Sequence, residues 1–377
     1  MKGTRFQRTL YARNWMGSKP RRRIAVTGGG TAGHILPALA FLEAYQRDAG
    51  AEGFFVGCHG GMELQLVPAH SVRLETIPGK PWERQGWLGR INALASLPPG
   101  IVAARRILRR EKVELVIGTG GYASLGTCIA AKTLGLPVAI HESNVQPGLA
   151  NRLISTFADL VGVGFEETRR TLGPRAVITG IPARPVVRSL PSIPNFIVLG
   201  GSEGSPVLNT EAPRLFSELQ RRGLRFTVRH LTGFSDPGVV QRAYDTSGLD
   251  ARVDGFVDDM GPVYATATFA LAAAGALTLA ELSACGIPCL LVPTPGTARE
   301  HQLSNAGFYS QQTGALTVPP GPWDPGTLAS HIEAILNNAK KEGQPSRQGS
   351  GGSEQPAAVA LVLACERLLD GINPSHN

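Results

Sequence analysis

No stretch of the chain stays apolar over the roughly 18 residues that a membrane span requires, and the first residues hold no uninterrupted apolar run of the kind a secretory signal needs. Export is not expected. Disulfide architecture is lacking too: the five cysteines are an odd number without metal-type spacing, which points to a reducing compartment. Cys285 and Cys289 in CGIPC read as small core residues flanking a turn. Acidic residues are missing from positions 1–23, where Lys2, Arg5, Arg8, Arg13, Lys19, Arg21, Arg22 and Arg23 account for the whole net charge of +8. The remaining chain is neutral overall, and no RNA- or DNA-reading motif accompanies the basic residues. Nucleic acid is therefore not an expected partner. Residues 1–22 are expected to be a disordered basic arm: a transit-like peptide, a membrane-touching segment or an overlong start.

A further absence bears on the opening motif. TGGGTAGHILPALA, residues 27–40, follows the apolar run Ile24 to Val26 and contains the dinucleotide fingerprint Gly28-x-Gly30-x-x-Gly33. That fingerprint calls for an acidic residue at the end of the next strand, to take a ribose hydroxyl. The next strand, Gly53 to His59, carries no carboxylate at its tip, and Asp48 and Glu52 precede it. The loop thus reads as an anion or polar-ligand site at a helix N-terminus, with a nicotinamide oxidoreductase a disfavoured alternative.

What is present is an ordinary globular composition in 377 residues, 42% hydrophobic and 18% charged, enough for two domains with substantial cores. The 46 glycines and 28 prolines gather at the ends of apolar runs, as turns should. Strand-like runs alternate with helix-length amphipathic stretches, the mark of βαβ units and parallel sheets. Strands are expected at 24–26, 54–56, 72–77, 115–117, 138–140, 160–163 and 177–178. The proline-rich segment from Gly180 to Asn195 then interrupts the pattern as a hinge would. The pattern restarts with strands at 196–199, 226–228, 251–253, 269–272 and 289–292, and a helix over 328–341. GGSEG at 200–204 repeats the device of the opening loop. The expected division is a Rossmann-like domain over 23–185, a second over 186–341, a flexible linker at 342–356 and a last helix over 357–370 that docks back on the first domain. Two doubly wound α/β domains with strand ends facing a common cleft bind ligands there.

Chemistry-bearing residues cluster at the expected strand-to-helix edges: TGGGTAGH, GTGGYASLG (118–126), HESNVQPGLANR (141–152), GGSEG, AAAGALTLAE (272–281) and TAREHQLSNA (297–306). Ser124 and Ser202 stand at helix starts, as ligand hydroxyls or as caps. Glu281 lies near the start of a helix opened by Gly275, where a carboxylate can take two hydrogen bonds from a ribose diol or be simply a dipole-favoured side chain. His301 and Asn305 share a helical face, with Gln302 next to it, and amides suit sugar hydroxyls because they both donate and accept. Asp258 reads as a helix cap, and the Asp258–Asp259 pair is not expected to hold a metal. From Lys80 to Lys112 eight basic residues face only Glu83 and Glu111, interleaved with Trp82, Trp87, Leu88, Ile91 and Leu94. That composition fits a surface meeting anionic lipid, and equally a solvated helix with a buried stripe.

In order and spacing, GGGTAGHILPALA, MELQLVPAH, GTGGYASLG, HESNVQPGLANR, GIPAR, VLGGSEG, HLTG, GFVDDM, GALTLAEL and HQLSNA resemble the peptidoglycan N-acetylglucosaminyltransferases of glycosyltransferase family 28, the MurG family, from about Arg23 to Gly314. The resemblance implies a GT-B fold and an inverting hexosyltransferase. It would move GlcNAc from UDP-GlcNAc to the MurNAc C4 hydroxyl of undecaprenyl-pyrophosphoryl-MurNAc-pentapeptide (lipid I), making lipid II for cell-wall growth, shape and division. It implies a peripheral protein on the cytoplasmic face of the bacterial plasma membrane, anchored to the anionic surface through Trp82, Trp87 and Leu88. Carried over residue by residue, Thr31, Ala32 and Gly33 would line the sugar-nucleotide and acceptor side, and Asn144 and Arg184 would reach the donor. Ser202 would meet the diphosphate, Val257 the uracil, and Ala276, Leu277, Thr278, Leu279, Ala280 and Glu281 the diphosphate and ribose. Gln302 would contact GlcNAc, with His301 and Asn305 as further sugar contacts. His34 is the expected general base, since an imidazole titrates near neutrality. No cofactor is required, and a divalent cation enters only as a stimulant. The chain departs from the family at Ile181, Glu203 and Ala274, where asparagine, glutamine and serine are usual. A carboxylate at 203 would repel a diphosphate unless turned away. The alternatives these departures leave are a UDP-sugar transferase with another lipid acceptor and a catalytically weakened nucleotide-sugar-binding subunit.

Overall fold

Buried parallel strands must be apolar on both faces, because helices cover both, and the central runs of this chain obey that rule, while a sheet-edge run such as Ala251–Asp254 carries charged residues. A computed structural model describes residues 21–79, 87–183, 186–294, 299–341 and 357–371, with side chains throughout except at 87–95, 299, 340 and 341. The chain divides into two compact units, the first running to Pro182 and taking in the last helix, the second starting at Ala183.

The first unit is a seven-stranded parallel sheet of order β3-β2-β1-β4-β5-β6-β7. Its strands are β1 (Arg23–Thr27), β2 (Glu52–Cys58), β3 (Leu74–Ile77), β4 (Leu115–Gly118), β5 (Val138–Glu142), β6 (Leu160–Val163) and β7 (Ala176–Ile178). Between them run α1 (Ala32–Ala49), α2 (Glu63–Ala69), α3 (Trp87–Arg110), α4 (Gly121–Thr133), α5 (Leu149–Ser155) and α6 (Glu166–Leu172). Val26 of β1 stands in register with Phe55 on one side and Ile117 on the other. Ala25, Val116, Val138, Ile140 and Val161 of the sheet pack with Ala123, Cys128 and Ala131 of α4 in one buried cluster. Each fully buried valine or isoleucine side chain among them contributes about 1.5–3 kcal/mol.

The second unit is a six-stranded parallel sheet of order β10-β9-β8-β11-β12-β13. Its strands are β8 (Asn195–Leu199), β9 (Thr227–Leu231), β10 (Ala251–Asp254), β11 (Ala267–Ala272), β12 (Cys289–Leu291) and β13 (Leu316–Thr317). Its helices are α7 (Pro206–Arg221), α8 (Pro237–Thr246), α9 (Gly261–Thr266), α10 (Ala276–Cys285), α11 (Arg299–Thr313) and α12 (Pro325–Lys341). Phe196 centres the core, stacked on Phe226 at 4.5 Å between ring centroids, with Phe216 and Phe269 edge-on to it. All twelve strands expected from the sequence form, with ends shifted by a few residues. The two-residue β13 was not anticipated.

The last helix, α13 (Ala357–Leu369), packs on α1. Its Leu361, Val362 and Cys365 are buried, and the Tyr45 hydroxyl donates to Glu366 Oε1 at 2.7 Å. Most of the expected basic arm, Trp82, Arg184 and the linker at 342–356 lie outside the described residues. Trp87 and Leu88 open α3.

In both sheets the strand order reverses direction beside the first strand, between β1 and β4 and between β8 and β11. Doubly wound sheets take their ligands at the carboxyl ends of such strand pairs.

Candidate functional site

At the carboxyl edge of the first unit, β1 ends in Gly28–Gly30 and β4 in Thr119–Gly121. The two turns interlock, because a Cβ on Gly28 would run into the Thr119 hydroxyl and the His34 carbonyl. Gly120 and Gly121 have φ of +110° and +81°, a backbone region that side-chain-bearing residues rarely occupy. Thr31 precedes α1 without capping it through its side chain, so the N–H groups of Ala32 and Gly33 in the first turn have no helical partner. Ala32 is buried, Thr31 half-buried and Gly33 exposed.

His34 follows directly. Its Nδ1 lies 2.9 Å from the Gly29 carbonyl, and since a carbonyl only accepts, Nδ1 carries the proton and Nε2 presents a lone pair. Nε2 has no hydrogen-bond partner among the described residues. It lies beside Gly120: a Cβ built there would be 3.1 Å from Nε2 and 3.4 Å from the Asn151 amide nitrogen. The Thr119 hydroxyl holds the His34 carbonyl at 2.7 Å. An imidazole with one nitrogen anchored and the other open is fit to accept a proton from a hydroxyl.

Glu142, at the end of β5, is a residue the sequence reading passed over. Its carboxylate is 2% exposed and organises the HESNVQPG loop. Oε1 accepts from the backbone N–H and the side-chain amide of Asn144 at 2.8 and 2.9 Å. Oε2 accepts from the Gly148 N–H and the Asn151 amide, both at 2.9 Å. Asn144 is thereby fixed in orientation at the same edge. Its signal in the sequence was the loop itself, since four donors within ten residues surround a strand-end carboxylate. His141 before it is fully buried, with Nε2 on the Gly180 carbonyl at 2.8 Å, and burial pushes its imidazole down to about 4.

Ser124 departs from expectation. It is fully buried inside α4, where its hydroxyl donates to the Gly120 carbonyl at 2.7 Å and accepts the Gly120 N–H at 3.2 Å. It braces the glycine turn and offers nothing to a ligand.

The second unit repeats the arrangement. The cap of α7 is Ser205, which accepts the Leu208 N–H, whereas Ser202 sits half-buried in the preceding turn. Glu203 is exposed in that turn. Val257, half-buried, follows Phe256, whose ring stacks with that of Phe234 at 6.0 Å. Asp259, not Asp258, takes the helix-start role at α9, its Oδ1 accepting the Gly261 N–H at 3.0 Å. Asp258 is exposed, and the hydrogen bond to the helix start comes from its neighbour instead.

Gly275 begins α10 with no side-chain cap, leaving the N–H groups of Ala276, Leu277 and Thr278 for an anion. Leu279 is a correction: it packs in the core and gives its N–H to the Gly275 carbonyl, so it keeps nothing to offer a donor. Ala280 lies in the second turn, as does Glu281, beyond the first turn where the helix dipole favours a carboxylate. What holds Glu281 is the Tyr264 hydroxyl, which donates to Oε2 at 2.8 Å. Burial, reinforced by Glu281, raises the Tyr264 phenol well above its ordinary value and keeps it a donor.

On α11, Gln302 Oε1 accepts the Thr294 N–H at 2.7 Å, so its NH2 is the end left to address a sugar. His301 stands half-buried beside it. Asn305, expected as a sugar contact, is 1% exposed and donates to the Ala274 carbonyl at 3.2 Å. It is an internal tie, because one helical turn inward carries a residue from the rim of the sheet into the core.

Family models for the N-terminal and C-terminal domains of glycosyltransferase family 28 match residues 24–163 and 195–361. Two proteins carrying the name UDP-N-acetylglucosamine–N-acetylmuramyl-(pentapeptide) pyrophosphoryl-undecaprenol N-acetylglucosamine transferase are similar over nearly their full length. That from Methylococcus capsulatus is 34% identical over 91% of this chain and 98% of its own. That from Geobacter sulfurreducens is 35% identical over 92% and 97%. Among solved structures, Acinetobacter baumannii MurG superposes with a TM-score of 0.68 at 24% identity, covering 93% of this chain and 99% of that one. A Neisseria meningitidis UDP-GlcNAc 2-epimerase bound to UDP-GlcNAc shares the fold at a TM-score of 0.64 and 13% identity, covering 93% of this chain and 100% of its own.

Proposed function

The chain belongs to glycosyltransferase family 28, and from that premise we propose that it transfers GlcNAc from UDP-GlcNAc to the C4 hydroxyl of the MurNAc sugar of lipid I, with inversion at the anomeric carbon, to give lipid II. The observation that carries the reading is the anchored imidazole of His34, whose Nδ1 is held by the Gly29 carbonyl at 2.9 Å so that Nε2 is the acceptor.

In this reading the carboxyl edge of the first unit receives the acceptor hydroxyl. As that oxygen attacks the anomeric carbon, its proton passes to His34 Nε2 and the bond to the UDP oxygen breaks on the opposite face. No covalent intermediate with the protein forms. The carboxyl edge of the second unit holds the nucleotide. The first-turn N–H groups of Ala276, Leu277 and Thr278 meet the departing diphosphate, because preorganised donors stabilise charge that develops in the transition state. Ser202 adds a hydroxyl to the same diphosphate, Val257 packs at the uracil, Glu281 takes the ribose hydroxyls, and Gln302 with His301 addresses GlcNAc. Asn144 and Arg184 complete the donor contacts, and Thr31 with the Ala32 and Gly33 amides lines the sugar-nucleotide and acceptor side. The chemistry calls on no resident metal, and a divalent cation enters only as a stimulant.

The protein works as a peripheral enzyme on the cytoplasmic face of the plasma membrane. Among the described residues no helix is long and apolar enough to cross a bilayer. The tryptophan-rich basic segment that includes Trp82 and opens α3 with Trp87 and Leu88 supports contact with an anionic surface.

Release of UDP from UDP-GlcNAc, measured with and without a lipid I analogue, tests the reading. The expected outcome is release that depends on the analogue, and His34→Gln should abolish most of it while UDP affinity, measured by calorimetry, stays within about twofold, as for a group acting only in the chemical step. Release indifferent to the analogue would overturn the assignment.

A further inference from the structure

Glu63 opens α2, an element to which no role is assigned above, and yet it is 1% exposed. A buried carboxylate is costly unless its oxygens are satisfied. One of them is: Oε1 accepts the Cys58 N–H at 2.8 Å. The other, Oε2, is buried with no hydrogen-bond partner among the described residues. Burial, with Glu63 nearby, pushes the Cys58 thiol up to about 12, so that thiol remains neutral and supplies no charge.

The surroundings of the carboxylate are glycine on three sides. A Cβ on Gly57 would meet Glu63 Cγ at 2.6 Å, a Cβ on Gly61 would overlap Oε2, and a Cβ on Gly29 would stand 3.2 Å from Oε1. Gly29 is the residue whose carbonyl holds His34 Nδ1. Its peptide is gripped from the other side as well, since a Cβ on Gly121 would strike the Gly29 carbonyl and one on Gly29 would touch the Ala123 methyl at 3.4 Å. Gly29 is thus seated between the Glu63 carboxylate and the turn after β4, and the direction of its carbonyl follows from that seat.

We propose that Glu63 is a positioning residue for the transfer reaction: its carboxylate is the wall against which Gly29 rests, and through the Gly29 carbonyl it fixes the tautomer and aim of the His34 imidazole. The inference rests on the reading of His34 as the base. An orphaned carboxylate oxygen is tolerated here because the side chain fills the space that three glycines leave, and a smaller residue would let the turn relax. A misplacement of about 1 Å at a reacting group can cost on the order of 100-fold in rate.

The experiment compares Glu63→Ala, Glu63→Gln and Gly29→Ala in the full chain. It measures kcat, KM for UDP-GlcNAc, UDP affinity, and the ring-nitrogen NMR signals of 15N-labelled histidine, with His34→Gln identifying the His34 resonances. Glu63→Ala should lower kcat by roughly tenfold or more, leave KM and UDP affinity within twofold, and replace the single Nδ1–H tautomer of His34 by averaged signals. Glu63→Gln, which keeps the shape and the Cys58 contact, should recover most of the rate. Gly29→Ala disturbs the same seat from the opposite side and should reproduce the kcat loss even where Glu63→Ala fails to fold. The proposal is overturned if Glu63→Ala or Gly29→Ala folds and turns over normally, if UDP affinity falls in step with kcat, or if the His34 tautomer is unchanged. Normal turnover by His34→Gln would instead remove the assignment of the base, while the tautomer signal in Glu63→Ala would still report whether Glu63 positions the ring.

Discussion

Single side chains at the two carboxyl edges divide into those held by one atom with another left open, and those fully spent on the fold. His34 and Gln302 are of the first kind, each half-buried with one polar atom committed to backbone. Ser124, Leu279 and Asn305 are of the second, and in sequence the two kinds look alike. A serine after a glycine pair or an asparagine one turn along a helix gains its role from whichever carbonyl lies opposite, which no local spacing reveals. Glu281 shows how much a partner matters. It lies too far along α10 for the helix dipole to orient it, and the Tyr264 hydroxyl does so instead. Glu281→Ala should weaken UDP binding by roughly 1.5–3 kcal/mol, the scale of hydrogen bonds to a charged group. Tyr264→Phe, which keeps the carboxylate but removes the hydroxyl that donates to its Oε2, should lose less than half as much. Calorimetric titration with UDP checks both, and equal affinities for wild type and Glu281→Ala would dismiss the ribose contact.

Elements were legible in proportion to how purely local their cause is. The central strands are continuous apolar runs because both faces are covered, so β1, β4 and β8 could be read to within one residue at each end and β5 and β11 to within two. β13 pairs only Leu316 and Thr317 with β12, and two residues carry no period to read. The glycine turns were legible too, since positive φ and close approach leave few alternatives to glycine. Glu63 and Glu142 were not, because burial of a carboxylate depends on donors and glycines delivered from other turns. The last helix is an intermediate case: its apolar pattern announced a docked helix, while the Tyr45–Glu366 contact that seats it is visible only in three dimensions. Burial raises the Tyr45 phenol well above its ordinary value, with Cys365 and Glu366 adding to the effect, so Tyr45 stays the donor. Ending the chain before Ala357 should therefore uncover α1 and the seat of Leu361 against Gly162. Several buried side chains at about 1.5–3 kcal/mol each rival the whole stability of a domain. Hydrogen exchange should show β1, α1 and β6 losing protection in the truncated chain while the second unit keeps its own, and uniform protection would refute the assignment of α13 to the first unit's stability.

At the scale of the whole molecule the two units share one polar device in their cores, a neutral histidine wedged between a carbonyl-type acceptor and a hydroxyl. In the first, His141 gives its Nε2 proton to the Gly180 carbonyl and has the Ser143 hydroxyl at Nδ1. In the second, His230 gives Nε2–H to Asn209 Oδ1 at 3.0 Å and accepts the Tyr244 hydroxyl at 2.9 Å. Burial pushes the two imidazoles down to about 4 and about 3 respectively. The unfolded chain protonates both near 6.5, so below that value the unfolded state binds more protons than the folded one and stability drops as the pH is lowered. The sign is that of a depressed group: the penalty is absent above pH 6.5, grows as pH drops, and levels off only below the folded values of about 4 and 3. Together the two sites amount to several kcal/mol on the order-of-magnitude scale of about 1.4 kcal/mol per pH unit per proton. Most carboxylates have yet to titrate between pH 7 and 5, so in that window the histidines dominate. Urea midpoints measured at pH 7.5, 6.5 and 5.5 should be flat over the first interval and fall over the second. The His230→Gln variant, less stable at pH 7.5, should show a shallower fall in the second unit's transition, because the group that took up the proton on unfolding is gone. A fall as steep as that of the wild type would assign the acid sensitivity to groups other than this histidine.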